Sequence, residues 1–258
     1  QNNPRKVNLK DDMQGSYLGP EYTQEEIEEQ LSSMGAKYET LKEDDLIDKA
    51  STSLSLGEAI GWFQGRMEFG PRALGGRSIL GDPRSIATQK NLNLKVKYRE
   101  SFRPFAPSIL RDDLSQWFDI NVDSPYMLMV SNIKKDKMIE MNEDEKKLFG
   151  INKLNIKRSE IPAVTHVDYS ARIQTVHEET NQKYFKLIKK FKEKTNCPVI
   201  VNTSFNVRGE PIVNTPLDAF NCFMGTELDK LYIGNCYLDK KQQDPKLKKD
   251  YTKEFELD

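Results

Sequence analysis

Apolar residues along this chain fall into stretches of helical spacing separated by short apolar runs. Ile27, Leu31 and Met34 share one helical face behind Thr23, which forms a capping box with Glu26, and Gly35 closes that helix. A second helix is predicted from Asp44, with Leu46, Ile47, Ala50 and Leu54 turned inward and Gly57 as its stop. Residues 37–41 between them are a short strand candidate, and AIGWF at 59–63 reads as a buried strand. Further on, 83–96 reads as a helix, 105–110 as a strand, 112–118 as a short helix and 126–130 as a strand. AVTHVDYSARIQTV at 163–176 alternates like one or two strands, and Tyr184, Leu187, Ile188 and Phe191 make an i, i+3, i+4, i+7 stripe. PVIVN at 198–202 is the next strand. Thr215 and Pro216 open a helix over Leu217, Phe220 and Phe223 that stops at Gly225, and 231–233 is the last strand. Strands alternating with helices predict an α/β or α+β domain on a mixed sheet.

Three stretches escape this pattern. Residues 1–22 are polar and read as a lead-in or linker remnant, 132–160 as a charged peripheral insertion, and 240–258 as a charged, frayed tail, which leaves 23–239 as the domain. A length of 258 residues with 37% hydrophobic content fits one domain with long loops, and a start at Gln1 is expected of a piece of something longer. No apolar run is long enough to span a bilayer and QNNPRKVNLKDD is no signal peptide, so a cytoplasmic protein is expected. Cys197, Cys222 and Cys236 match no zinc or redox spacing and read as buried thiols with no metal role. With 39 Lys and Arg against 40 Asp and Glu, overall charge announces no polyanionic partner, and local clustering must carry the chemistry.

The strongest cluster is GRMEFGPRALGGRSILGDPR at 65–84, with four arginines (Arg66, Arg72, Arg77, Arg84) and five glycines after the 59–63 strand. Guanidinium offers a planar fork of donors to phosphate or carboxylate oxygens, and glycine lets backbone N–H groups approach an anion closely. The segment is neither a P-loop nor GxGxxG. It reads as an anion-binding loop; the alternative is a loop merely knitted by pairs with Glu68 and Asp82. A second cluster, KVKYRESFRPFAP, sets Lys95, Lys97, Arg99 and Arg103 among Tyr98, Phe102 and Phe105. Single-stranded nucleic-acid binders also mix cations with rings. Pro104 and Pro107, however, make a tight bend that fits one nucleotide better than a strand.

In VNTSFNVRGEP, Asn202, Thr203, Ser204 and Asn206 stand at a strand exit, where they suit a ribose, a carbonyl or a phosphate ester, or simply build Asx and ST turns. Arg172, inside the apolar SARIQTV, needs a buried partner or a ligand. His166, near Asp168 and Arg172, reads as a structural histidine ahead of a pH-dependent one, and His177 carries no assigned role. The six lysines from Lys183 to Lys194 read as a solvated helix face rather than a nucleic-acid patch. With no supported nucleophilic triad, any reaction rests on positioning and charge neutralisation.

Taken together, GWFQGRMEFGPRALGGRSILGDPR, LNLKVKYRESFRPFAPSIL, SARIQTV and VNTSFNVRGEPIV resemble, across residues 20–238, the C-terminal region of the NodU-like O-carbamoyltransferases, which include antibiotic carbamoyltransferases of the tobramycin and cephamycin pathways. The resemblance implies a YrdC-like twisted open sheet flanked by helices around a basic cavity. It implies that ATP, with magnesium, and carbamoyl phosphate react there to carbamoyl-adenylate, releasing phosphate and pyrophosphate. A separate N-terminal domain of actin-like ATPase fold, carrying a metal, would then move the carbamoyl group to a hydroxyl, and nothing in this chain resembles it. By the same resemblance Arg72, Lys97, Arg103 and Arg172 are the expected catalytic contacts, with Asn202 and Ser204 on the nucleotide. The YrdC-type signature, Lys-x-Arg with a later Ser-x-Asn, falls on Lys97, Arg99, Ser204 and Asn206. The two alignments differ on whether Arg99 or Arg103 faces the phosphates. Residues 132–160 do not align with the family's pattern, and no counterpart of the tail beyond Lys240 is recognised in it. The competing reading is a nucleotide- or RNA-binding YrdC-like module without turnover of its own.

Overall fold

Local signals set the helix starts. At Thr23 the side chain accepts the Glu26 N–H while the Glu26 carboxylate accepts the Thr23 N–H, and α1 (Gln24–Ser33) follows. The computed structural model describes residues 11–154 and 156–249. Glu43, Asp44 and Asp45 fill the first turn of α2 (Glu43–Ser55), where carboxylates complement the helix dipole. Ser85 caps α3 (Ile86–Asn91), which widens into a π turn over Leu92–Val96. The short α4 (Leu114–Trp117), α5 (Glu143–Lys147) and α6 (Ile151–Leu154) come next. Asn181 then caps α7 (Gln182–Thr195), which buries the Tyr184, Leu187, Ile188 and Phe191 stripe and packs on α2. The capping box at Thr215 opens α8 (Pro216–Gly225).

These helices flank a mixed sheet of nine strands among the described residues. The strands are β1 (Glu39–Thr40), β2 (Ile60–Phe63), β3 (Arg77–Gly81), β4 (Ala106–Leu110), β5 (Met129–Asn132), β6 (Ser170–Val176), β7 (Val199–Ser204), β8 (Lys230–Ile233) and β9 (Cys236–Asp239). They lie side by side as β1-β9-β8-β2-β3-β7-β4-β6-β5. The β2–β8 and β4–β6 pairs are parallel and the others antiparallel. The expected α/β mixed sheet is therefore present.

Several elements differ from expectation. Part of the arginine-glycine segment is itself strand: β3 pairs with β2 and β7, and all five of its residues are buried. The expected helix over 83–96 begins only at Ile86, and 163–176 divides into a turn at Pro162–Val164 and one strand, β6. β5 begins three residues later than expected, and β9, a strand not expected from the sequence, pairs back on β8. The insertion is anchored at both ends, with Ile133 bridged to Phe118 and the buried Ser159 bridged to Met138. The described part of the lead-in straps the connection between β2 and β3. Ser16 Oγ donates to Phe69 O at 2.7 Å, Tyr17 OH to Leu74 O at 2.7 Å, Gly19 N to Met67 O at 2.9 Å and Met67 N to Pro20 O at 2.9 Å. After Lys240 the chain stays packed, because the buried Gln243 side chain pairs with both backbone groups of Lys37. Residues 1–10 of the lead-in and 250–258 of the tail lie outside the described residues.

The connection closes on two buried charges. Glu68 is 5% exposed, and its Oε1 accepts the N–H groups of Leu74, Gly76 and Arg77 at 2.7, 2.6 and 3.2 Å. Arg77 is fully buried with its guanidinium 3.6 Å from the Phe63 ring centre, donating to the carbonyls of Gln64, Gly65, Gly76 and Pro20. Gly75 has φ 106°, and an added Cβ there would lie 2.4 Å from the Tyr184 ring. Replacing Glu68 with Ala strands three N–H groups at once, so urea unfolding of Glu68→Ala is expected to show a loss of about 3 kcal/mol or more. A loss below about 1 kcal/mol would mean that water satisfies them equally well.

Candidate functional site

Register gathers polar side chains of three strands on one face of the sheet. Gln174 pairs with Ser108 and Asn202 with Ala106, and residues two apart on a strand point the same way. Arg172 and Gln174 of β6, Ser108 of β4, and Asn202 and Ser204 of β7 therefore share that face. The chain before β3 is bonded across it. Asn202 Nδ2 donates to Ala73 O at 3.0 Å and to Gln174 Oε1 at 2.8 Å, while Gln174 Nε2 donates to Leu74 O at 2.8 Å. Ser108 Oγ completes the network by donating to Gln174 Oε1 at 2.6 Å.

Between these strands and the segment lies a cavity of about 170 Å³, lined by Arg72, Arg99, Phe105, Arg172, Asn202 and Ser204 among others. Neither Arg72 nor Arg172 has a carboxylate partner among the described residues. Burial, and after it the charge of Arg72, hold Arg172 below the usual guanidinium range, and its buried Nε has no acceptor. Arg99 lies 4.9 Å from the Phe105 ring centre and donates through Nε to Asn93 Oδ1 at 2.7 Å. Burial, and then the charge of Arg103, push Arg99 down to about 10. Like charges facing one another across a small, partly desolvated space are stabilised by an anion placed between them.

The cavity divides the expected site residues. Arg72, Arg99, Arg172, Asn202 and Ser204 line it. Arg103 does not; it is half-exposed and pairs with Glu100 at 2.9 Å, so of the two alternatives Arg99 is the arginine in the wall. Lys97 is 5% exposed and sits behind Ser204, with Nζ 2.5 Å from Ser204 O, 3.2 Å from Ser204 Oγ, 2.8 Å from Asn206 O and 2.7 Å from Asn206 Oδ1. Asn206 in turn accepts from Ser204 Oγ at 2.6 Å and donates to Glu210 O at 2.6 Å. Lys97 and Asn206 thus hold the end of β7 rather than reach the cavity.

Of the four arginines in the 65–84 segment, only Arg72 faces the cavity. Arg66 donates to Gly19 O at 3.0 Å and lies 3.6 Å from Glu21, Arg77 is enclosed, and Arg84 makes a forked pair with Asp82. Arg66, Arg77 and Arg84 are thus knitted into the protein, and Arg72 is left facing the cavity. On α7, Lys186 pairs with Glu43, Lys190 with Glu193, Lys192 with Asp113 and Lys194 with Asp48, so that face presents little net charge to a polyanion. Burial, the larger cause, and the charges of Arg172 and Arg158 lower His166 against the opposing pull of Asp168. All three cysteines are buried. A larger cavity of about 730 Å³ is lined by Asp11, Asp123, Glu179 and His177, a charge of the wrong sign for an anion.

Sequence reasoning missed Gln174 and Asn93. Gln174 carried a signal, since a polar residue two positions after Arg172 in an apolar strand must share its face. Asn93 carried none. It is fully buried and ties the basic turn through Ser101 O and Arg103 O at 3.1 and 2.8 Å, a role created by the π turn.

Burial pushes Lys97 down to about 7. The unfolded chain keeps this amine protonated to about pH 10.4, so between these values folding expels a proton and stability rises with pH. The advantage of wild type over Lys97→Met in urea unfolding is expected to grow by about 2 kcal/mol from pH 7 to pH 9. Parallel pH profiles for the two proteins would contradict this.

The comparisons with known proteins agree with the cationic cavity. A family model described as "Carbamoyltransferase C-terminus" matches residues 51–240. The chain is 54% identical over 260 residues to "Uncharacterized protein sll1178" of Synechocystis sp., covering 99% of this chain and 42% of that protein. It is 38% identical over 237 residues to nodulation protein NolNO of Sinorhizobium fredii, covering 90% of this chain and 32% of that one. With the 3'-hydroxymethylcephem-O-carbamoyltransferase of Amycolatopsis lactamdurans it shares 32% identity over 193 residues, 75% of this chain and 33% of that enzyme. The chain spans between 32% and 42% of the length of these relatives. Fold, cavity and sequence together make this chain a member of the carbamoyltransferase C-terminal family.

Proposed function

We propose that this domain is the carbamoyl-activating part of an O-carbamoyltransferase, in which ATP and carbamoyl phosphate react to carbamoyl-adenylate. The observation that carries the reading is the cavity itself, which three guanidiniums line and whose described lining includes no Asp or Glu. In the reaction, water cleaves carbamoyl phosphate to carbamate and phosphate. A carbamate oxygen then attacks the α-phosphorus of ATP and pyrophosphate leaves. Apart from water, every species on this path is anionic, and Arg72, Arg99 and Arg172 would offset the repulsion that keeps them apart in water.

A volume of about 170 Å³ suits carbamoyl phosphate and the reacting phosphate rather than a whole nucleotide, so the nucleoside would lie along the open side. Ser204, held by Lys97 and Asn206, would orient it there, while Arg103 would add positive potential behind Arg99. Magnesium would accompany the triphosphate. Transfer to an acceptor hydroxyl would fall to an N-terminal domain of actin-like ATPase fold in the parent chain, in the cytoplasm. The relatives' greater length leaves room for such a domain.

The test is pyrophosphate release from ATP that depends on added carbamoyl phosphate. Arg72→Ala and Arg172→Ala are each expected to lower the rate roughly tenfold to a hundredfold. Arg66→Ala is expected to leave it unchanged, since its partners are Gly19 O and Glu21. No pyrophosphate release from a protein that also fails to bind ATP would overturn the proposal, and tight, salt-sensitive RNA binding without ATP competition would replace it with an RNA-binding role.

A further inference from the structure

Arg72 and Arg172 line one cavity from distant parts of the chain, and the charge of Arg72 acts on Arg172. Backbone must fix their separation, since Arg72 has no carboxylate partner among the described residues to hold its guanidinium. The backbone around Arg72 is a short arch. One foot is Phe69, whose N–H donates to Ser16 O at 2.7 Å and whose carbonyl accepts Ser16 Oγ at 2.7 Å. The other foot is Ala73 and Leu74. Only Gly70, Pro71 and Arg72 lie between, and the proline ring fixes one φ of the three. A span this short carries Arg72 wherever its feet are set.

Gln174 sets the second foot. Its Nε2 donates to Leu74 O at 2.8 Å, while its Oε1 accepts Ser108 Oγ at 2.6 Å and Asn202 Nδ2 at 2.8 Å. Gln174 is 2% exposed and is not among the residues that line the cavity, so it acts on a ligand only through others. It follows Arg172 by two positions in β6 and shares its face. One side chain thus ties the foot of the Arg72 arch to the strand that carries Arg172. Tyr17 OH reaches the same carbonyl at 2.7 Å, but from the strap, and so cannot gauge the arch against β6.

We infer that Gln174 is a positioning residue that sets the separation of Arg72 and Arg172, so that both guanidiniums hold one anion. This rests on the reading of the cavity as an anion site and deepens it, because it says what keeps two like charges at a useful distance. Their mutual repulsion favours drawing the arch away from β6. The Gln174 bond opposes that movement before any anion arrives, and a guanidinium fork gives its full strength only where its geometry is held in advance. Without the Gln174 amide, Leu74 O keeps only Tyr17, and nothing ties Leu74 O to the strand of Arg172.

The experiment titrates the full chain with inorganic phosphate, the group both proposed substrates share. Binding is followed by calorimetry and by the Nε–H resonances of the arginines, assigned with single variants. In wild type the Arg72 and Arg99 resonances are expected to shift with one dissociation constant. Gln174→Met keeps the length of the side chain without its amide, and is expected to bind phosphate roughly tenfold more weakly, with the Arg99 resonance still shifting and the Arg72 resonance no longer doing so. Because Gln174 acts through Arg72, adding Gln174→Met to Arg72→Ala is expected to weaken binding by no more than about twofold, whereas adding it to Arg99→Ala is expected to cost the full factor of roughly ten. General damage to the fold would weaken both backgrounds alike. Gln174→Asn, too short to span the same bonds, serves if Gln174→Met fails to fold. Wild-type affinity in a folded Gln174 variant, or equal losses in the two backgrounds, overturns the inference and leaves the proposed function standing. The expected coupling in a protein that releases no pyrophosphate with carbamoyl phosphate upholds the inference and removes the proposed chemistry. Failure of wild type to bind phosphate overturns both.

Discussion

The structure turns on the carboxylate of Glu68, buried and bonded to three consecutive regions of its own loop. A lone buried carboxylate is costly, and its desolvation is offset here by N–H groups that would otherwise be orphaned at the entry to β3. Arg77, enclosed a short distance away, does the converse for the carbonyls of Gln64, Gly65 and Gly76 in the same connection and for that of Pro20 in the strap. Two opposite charges thus satisfy three N–H groups and three carbonyls at the two ends of one connection, which helps a long, glycine-rich loop hold its shape without regular structure. The cavity depends on that shape, because Ala73 O and Leu74 O, which orient Asn202 and Gln174, belong to the same loop.

The two kinds of arginine in this region follow from one balance. Where carbonyls or a carboxylate surround the guanidinium, as at Arg77 and Arg84, its donors are used within the protein. Where another cation faces it, as at Arg172, burial and repulsion act in the same direction and leave a site that gains stability when an anion enters. The four arginines of the 65–84 segment were chemically alike in the sequence. Only their neighbours in space distinguish the knitting ones from the one that faces the cavity.

This is also the measure of what the sequence could disclose. The capping box at Thr23, the helix start at Thr215 and Pro216 and the stripe of α7 depend on residues within a few positions of one another, and each appears where the spacing put it. β3 was hidden because its apolar run is only Ile79 and Leu80, between arginine and glycine, and its strand character comes from β2 and β7 on either side. The site was legible as a set of residue types and as a resemblance, which named five residues of the cavity wall. Their division into wall and support was not legible. Lys97 and Arg99 are two positions apart, and only the π turn before them and the bonds of Asn93 decide that Arg99 enters the wall while the lysine stays behind β7.

The strap formed by residues 16–20 separates two boundaries that usually coincide. Judged by regular secondary structure, the domain begins at α1. Judged by bonding, it begins earlier, since Pro20 O is one of the four acceptors of Arg77 and Tyr17 OH shares Leu74 O with Gln174. A chain trimmed to start at Thr23 would keep every helix and strand named above and lose part of what shapes the cavity. The strap thus ties the start of the described chain to the loop that walls the cavity rather than to a neutral edge of the fold.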